Sequence, residues 1–181
     1  MPNEISALRA PDSETPEELT TLNLSGHNVP GMSGIAEGYR SQSQSGARWF
    51  FWIAALSMIN SIVILANGQW NFLAGLGLTQ VISGLAVGLS EQLGTAATVI
   101  AVALNLMVVL IFVGFGLFAQ KFHTWAFIFG MVVYGLDGLI FLMVQDWLSI
   151  AFHLFVLYSL YRGLSANMKL SGLRAEGLAP A

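Results

Sequence analysis

Long apolar runs separated by short polar breaks set the predicted architecture. Three of them, at residues 49–66, 95–119 and 124–144, reach or approach the 20 or so apolar residues that a membrane-spanning helix needs. A fourth, at residues 147–164, is long enough if the side chain of Arg162 extends to the interface. Tryptophan and tyrosine lie near the ends of these runs, as in the aromatic belts of membrane proteins. The pattern therefore predicts four transmembrane helices.

Residues 71–93 are more ambiguous, because they are long enough to span but less apolar and hold four glycines. Their leucine, valine and isoleucine positions fall on one helical face, opposite threonine, glutamine and serine, which is typical of an interfacial helix. The glycines also permit a re-entrant or closely packed segment. The segment is thus an interfacial helix, a re-entrant helix or a fifth span.

The placement of lysine and arginine favours four spans. If residues 71–93 stay on the outer face and the N-terminus is cytoplasmic, every lysine and arginine lies on the inner side. A fifth span would move Lys121 and the C-terminal basic cluster outward, against the positive-inside rule. We therefore predict an all-α integral membrane protein, a four-transmembrane-helix bundle with an extra interfacial or re-entrant helix between spans 1 and 2. Its expected location is a bacterial cytoplasmic (inner) membrane, with both termini in the cytoplasm.

Composition agrees with this placement. Of the 181 residues, 55% are hydrophobic and only 9% are charged, against roughly 25% in ordinary soluble domains. Between Trp49 and Tyr161 there are only four formal charges, so this region is expected to have the lipid bilayer as its surroundings. The absence of cysteine excludes disulfides and thiolate metal sites. A net charge of −3 gives no reason to expect a nucleic-acid partner.

The two ends of the chain are polar. Residues 1–46 are rich in serine, glycine, proline and acids, a composition that predicts a disordered cytoplasmic N-terminal tail. Residues 47–164 are predicted to form the transmembrane bundle, and residues 165–181 a cytoplasmic C-terminal tail.

Two ionisable residues lie within predicted spans at similar depth. Asp137 lies about 13 Å before the outer turn at residues 145–146, and His153 lies about 11 Å after it. Helices joined by so tight a turn are antiparallel neighbours. The Asp137 and His153 side chains are therefore expected to face each other.

The other two spans carry amides at the same level. Asn105 is about 15 Å and Asn60 about 13 Å from the outer face. Two further polar residues lie one helical turn away, Tyr134 before Asp137 and Ser149 before His153. The sequence predicts one polar layer near the membrane middle, made of Asn60, Asn105, Tyr134, Asp137, Ser149 and His153.

This layer has three possible roles. It can fix the register of the bundle through hydrogen bonds between helices. It can instead be a protonatable or ion-coordinating site, since paired aspartate and histidine inside membranes often mark proton relays or substrate pathways. It can also anchor the polar end of an apolar ligand.

Catalytic motifs are missing from the sequence. It contains neither an H-E-x-x-H zinc motif nor a G-x-S-x-G nucleophile elbow. Asp137 is the only acid inside a predicted span, whereas an aspartyl protease site needs two carboxylates close together. His153 is the only histidine inside a predicted span, which excludes paired axial haem ligation within one chain. We expect no catalytic residues, no cofactor and no metal site.

The function expected on these grounds is that of a non-enzymatic accessory, assembly or structural membrane subunit. Such a subunit would act as a homo-oligomer or within a larger membrane complex. The alternative is a small oligomeric transporter or channel that uses the Asp/His/Asn layer for proton or ion coupling. A lipid-modifying enzyme is a third possibility, for which the sequence offers no catalytic set.

Overall fold

The computed structural model describes the backbone of residues 31–65 and 76–179, and all the regular structure in these ranges is helical. Four of its helices are long and apolar enough to cross a membrane, which agrees with the four predicted spans. In chain order the helices are α1 Met32–Leu65, α2 Gly77–Gly88, α3 Ser90–Leu93, α4 Thr95–Gln120, α5 Thr124–Met143 and α6 Trp147–Ala175.

The bundle has two ends, each marked by a turn between two long helices. The connection between Gln120 and Thr124 marks the basal end, and the connection between Met143 and Trp147 marks the apical end. The apical turn is tight, with Gln145 in the left-handed region at φ 55°. This turn makes α5 and α6 antiparallel neighbours, as their spacing predicts.

Helix α1 begins well before the predicted first span. The prediction of a disordered tail over residues 1–46 is wrong for residues 32–46, which are helical; residues 1–30 lie outside the described residues. Helix α6 likewise continues past the predicted end of its span, to Ala175. The two extensions are stabilised by packing that composition alone does not reveal, because Ala36 on α1 and Leu170 on α6 are both buried.

Close packing dominates the basal half. A Cβ atom placed on Gly46 would lie 2.5 Å from the Cα of Gly163, so α1 and α6 are nearly in backbone contact there. The fully buried Phe50 ring lies about 6 Å from three other aromatic rings of α4 and α5. Glycine thus lets α1 and α6 meet closely, while the Phe50 ring fills the space between α1 and the helices α4 and α5.

Helix α2 begins inside the bundle. Leu76, just before it, is 1% exposed, and its N–H donates to Ser57 Oγ on α1 at 2.8 Å. From there α2 runs antiparallel to α4 towards the apical end. Ser83 contacts Asn105, whereas Ala86, later on α2, packs with Ala97 and Ala101, which are earlier on α4. With 12 residues, α2 is about 18 Å long, shorter than a membrane span. An extra helix between spans 1 and 2 is therefore present over the described part of 71–93, and residues 71–75 lie outside the described residues.

Candidate functional site

Asp137 on α5 supplies the N-terminal cap of α2. Its Oδ2 accepts a hydrogen bond from the Gly77 N–H at 2.7 Å, and its Oδ1 accepts one from the Leu78 N–H at 2.8 Å. The first N–H groups of a helix have no partner within the helix, and the partial positive charge there favours an anion. The local residue at the cap position is Leu76, which has no side-chain acceptor. The helix therefore depends on an acceptor sixty residues further along the chain.

Glycine allows the backbone of α2 to come this close. A Cβ atom on Gly77 would lie 2.9 Å from the ring of Phe141 on α5. A larger residue would push the start of α2 away from α5, and the two N–H groups would lose their reach to the carboxylate. The cap thus requires both the aspartate and the missing side chain at position 77.

His153 on α6 is the side-chain partner of Asp137. Its Nε2 lies 3.2 Å from Asp137 Oδ2, and its Nδ1 lies 2.9 Å from the carbonyl oxygen of Ser149. A carbonyl oxygen only accepts, so Nδ1 carries a hydrogen. A bond between Nε2 and Oδ2 then needs one proton shared between them, because two bare acceptors or two donors would repel. The pair as a whole is neutral, which lowers the cost of placing it away from water.

Aromatic rings hold the imidazole in place. The Tyr134 ring stacks on it with a centroid distance of 4.4 Å and an interplanar angle of 10°, and Phe141 contacts it at 4.9 Å. His153 is 2% exposed and Asp137 is 7% exposed. The Tyr134 hydroxyl is buried and has no hydrogen-bond partner among the described residues. In the described contacts, Tyr134 therefore acts on the pair through its ring.

The two asparagines occupy different positions. Asn105 on α4 donates through Nδ2 to Ser83 Oγ on α2 at 2.7 Å, so it attaches the middle of α2 rather than its start. Asn60 is fully buried on α1, one turn beyond Ser57. The structure thus brings Asp137 and His153 together, as their spacing predicts. It also places Ser149 and Tyr134 against the imidazole and connects Asn105 to α2.

Ser149 serves both the pair and the start of α6. Its carbonyl oxygen accepts a hydrogen bond from His153 Nδ1. Its Oγ donates to Asp146 Oδ2 at 2.6 Å, and its N–H donates to Asp146 Oδ1 at 3.2 Å. The hydrogen bond from the Ser149 hydroxyl, followed by the one from its backbone N–H, lowers the pKa of the half-buried Asp146. Asp146 is a conventional N-cap of α6, close in sequence to the groups that it caps.

Sequence reasoning identified Asp137 and His153 but missed the backbone groups that Asp137 binds. It also assigned no separate role to Ser83, which receives Asn105. One signal was available. A helix that starts near residue 77 has no serine, threonine, aspartate or asparagine at its cap, so its first N–H groups need an acceptor from elsewhere.

The site offers little to a metal ion. Within residues 31–65 and 76–179, no group of three histidine, aspartate or glutamate side chains is placed to hold one. Asp137 and His153 would be the only nearby ligands described, and their facing atoms already contact each other.

Comparison of the chain with protein-family models, with curated proteins and with solved structures gives no match.

Proposed function

We propose that this protein is a non-enzymatic membrane subunit of structural or accessory type, in which the polar layer holds a re-entrant helix inside a four-span bundle. The observation that carries the proposal is that hydrogen bonds within the protein already engage the Asp137 carboxylate. Both of its carboxylate oxygens receive hydrogen bonds from the chain's own backbone, and Oδ2 also contacts His153. A carboxylate engaged in this way stabilises a fold and has few lone pairs left for a substrate.

The energetics support a structural role for the carboxylate. A buried N–H without an acceptor costs about 1–3 kcal/mol, and an unpaired carboxylate near the middle of a membrane costs roughly 3 kcal/mol or more. Asp137, Gly77 and Leu78 remove these costs for one another. The arrangement explains how a charged residue persists in α5 and how α2 begins away from water.

The proposed location is a bacterial cytoplasmic membrane, with the basal end and both termini on the cytoplasmic side. The cations of the described helices support this orientation. Arg40 and Arg174 both lie over the Phe122 ring at the basal end, and Lys169 lies over Tyr39.

Reporter fusions at Gly94, Lys121 and Asp146 should read outside, inside and outside. An inside signal at Gly94 would contradict the re-entrant placement of α2.

Purification in mild detergent tests the accessory role. We expect the wild-type protein to bring down a larger membrane partner in fixed stoichiometry, or to form a homo-oligomer without ion flux. In vesicles, the wild-type protein should show the same proton leak as the Asp137→Asn variant, which keeps the shape of the side chain and an acceptor oxygen but cannot carry a negative charge. A proton or ion flux that the wild-type protein supports and the variant lacks would contradict the structural proposal.

A proton-coupled transporter or channel is the second candidate, and the buried contact between His153 Nε2 and Asp137 Oδ2 favours it. Such a protein would move protons in vesicles as a homo-oligomer, and the flux would fall in His153→Gln. Asp146→Asn is the matched control, because it removes a carboxylate charge from the turn of the same α5–α6 hairpin, away from the pair. Equal flux in all three proteins would count against this candidate.

A further inference from the structure

A groove with two cations lies between α1 and α6 at the basal end. Its two adjoining parts have volumes of about 190 and 420 Å³ and share Gln42 and Arg162. The second cation is Lys169, and both basic side chains are exposed. None of the described residues that line either part is acidic. The lining of the groove therefore carries a net positive charge.

The donors in the groove suit a phosphate group. Arg162 and Lys169 lie two turns apart on one face of α6, about 10 Å along its axis. A guanidinium can bind phosphate through two parallel hydrogen bonds, while an ammonium supplies a compact charge. Lys169 Nζ lies 5.4 Å from the centre of the Tyr39 ring, which favours its position at the edge of the groove.

The other part of the groove leads onto an apolar surface. Trp49 lines it, and the Trp49 ring packs edge-on against Phe155 with a centroid distance of 5.3 Å. Phe155 and Tyr158 are both more than half exposed on the outside of α6. Tryptophan and tyrosine are enriched at the level of lipid headgroups. A molecule with a charged head and an apolar tail matches the groove along its whole length, whereas free phosphate would use only the cationic part.

We propose that this groove binds the headgroup of an anionic phospholipid, with the phosphate at Arg162 and Lys169 and an acyl chain along Trp49 and Phe155. The inference rests on the membrane placement proposed above, which puts the basal end at the lipid headgroups. Basic pockets between membrane helices on the cytoplasmic side recognise anionic headgroups by the same chemistry.

Lipid titration in detergent tests this directly, because detergent removes the general attraction of a charged bilayer surface. The thermal midpoint of unfolding is followed while phosphatidylglycerol, phosphatidylcholine or inorganic phosphate is added. The midpoint should rise only with phosphatidylglycerol. Native mass spectrometry should show the same lipid retained by the wild-type protein after purification.

The double variant Arg162→Gln/Lys169→Gln should weaken phosphatidylglycerol binding about tenfold or more, as expected for the loss of two headgroup contacts. The matched control is Arg48→Gln/Lys121→Gln, which removes the same charge from the same end at positions that do not line the groove. The control should stay within about twofold of wild type, since exposed charges away from the site contribute little.

Three results would overturn the proposal: equal weakening in both double variants, no preference for phosphatidylglycerol, or equal stabilisation by inorganic phosphate, which would indicate a soluble anion. If the groove double variant does not fold, Arg162→Lys keeps the charge but loses the two parallel bonds. Unchanged affinity in that variant would also count against the site. A reversed orientation in the reporter assay would contradict the membrane placement and leave this detergent measurement unaffected.

Discussion

The apical and basal halves of the bundle are held together by different contacts. In the apical half, α2 is attached through hydrogen bonds to its first N–H groups, two of them to Asp137. In the basal half, the long helices meet through apolar packing, with Phe50 buried among aromatic rings and Gly46 against Gly163. Both halves contain buried side chains, but among the described residues only the apical half buries a carboxyl group, that of Asp137.

The difference follows from where helices begin. A long helix satisfies its backbone groups internally and needs only a matching surface on its neighbours. A helix that begins inside the bundle exposes unpaired N–H groups there and must find acceptors. Substitutions that remove a polar group are therefore expected to destabilise the apical half most. Substitutions that add a methyl group are expected to destabilise the basal half most.

The largest effect is expected for Asp137→Leu. It leaves the N–H groups of Gly77 and Leu78 without their acceptor and the imidazole of His153 without its partner. The expected loss is about 3–5 kcal/mol in the free energy of unfolding. Hydrogen exchange should rise most in α2, and least in the basal ends of α1 and α6. The control is Glu91→Leu, which removes an exposed carboxylate from α3. Wild-type protection of α2 in Asp137→Leu would show that the cap does not hold this helix.

A smaller loss of stability, in the basal half, is expected for Gly163→Ala. The new Cβ would lie 2.8 Å from Gly46 Cα and 3.0 Å from Phe127 Cε1, so α1 and α6 must separate. Such overpacking typically costs about 1–3 kcal/mol. Denaturation in detergent measures the loss, and exchange should rise in the basal half while α2 stays protected.

Gly135→Ala is the matched control for that substitution. Position 135 is also inside a long helix, and a Cβ there would meet nothing within 4 Å. Alanine should be neutral or stabilise the protein by up to about 1 kcal/mol, through its higher helix propensity. Equal losses in Gly135→Ala and Gly163→Ala would mean that close helix contact is not what holds the basal half.

A third prediction concerns the pair itself. In a double-mutant cycle of Asp137→Leu and His153→Leu, the two losses should not add, with a coupling of about 0.5–2 kcal/mol. Pairing Asp137→Leu with Asn167→Leu gives the control, because Asn167 donates at the basal end to Phe122 O and Thr124 Oγ1. Those losses should add within about 0.5 kcal/mol. Strict additivity in the first cycle would show that the imidazole contributes nothing to the cap.

The smallest loss of stability is expected for the cap of α6, Asp146, which is close in sequence to the groups that it caps, unlike Asp137. Asp146→Ala removes the half-buried cap of α6 and should cost about 0.5–1 kcal/mol at neutral pH. Since hydrogen bonds from Ser149 lower the pKa of Asp146 in the folded state, its contribution is present above the unfolded pKa of about 4 and is lost as the pH falls through the folded pKa. The difference in stability between wild type and variant should therefore shrink in acid. A difference independent of pH would contradict the cap.

Much of the layer could be predicted because it depends on spacing along the chain. The short turn after α5 makes α5 and α6 antiparallel, and residues at equal distances from it must lie at equal depth, so Asp137 and His153 meet. No comparable constraint relates α2 to α5. The bond between Gly77 N–H and Asp137 joins groups sixty residues apart, and the donor is backbone, which residue types do not reveal.

The sequence by itself determined the four long helices, because long apolar runs with few charges have one stable form in lipid, the hydrogen-bonded helix. It also determined that Asp137 and His153 lie at similar distances from the turn between α5 and α6, where they meet. Tertiary structure alone decided where α2 begins and how far α1 extends. A short helix and a polar helical segment are each marginal in isolation, so their stability comes from the partners that the fold brings to them. For α2 that partner is Asp137, and for residues 32–46 it is the matching extension of α6.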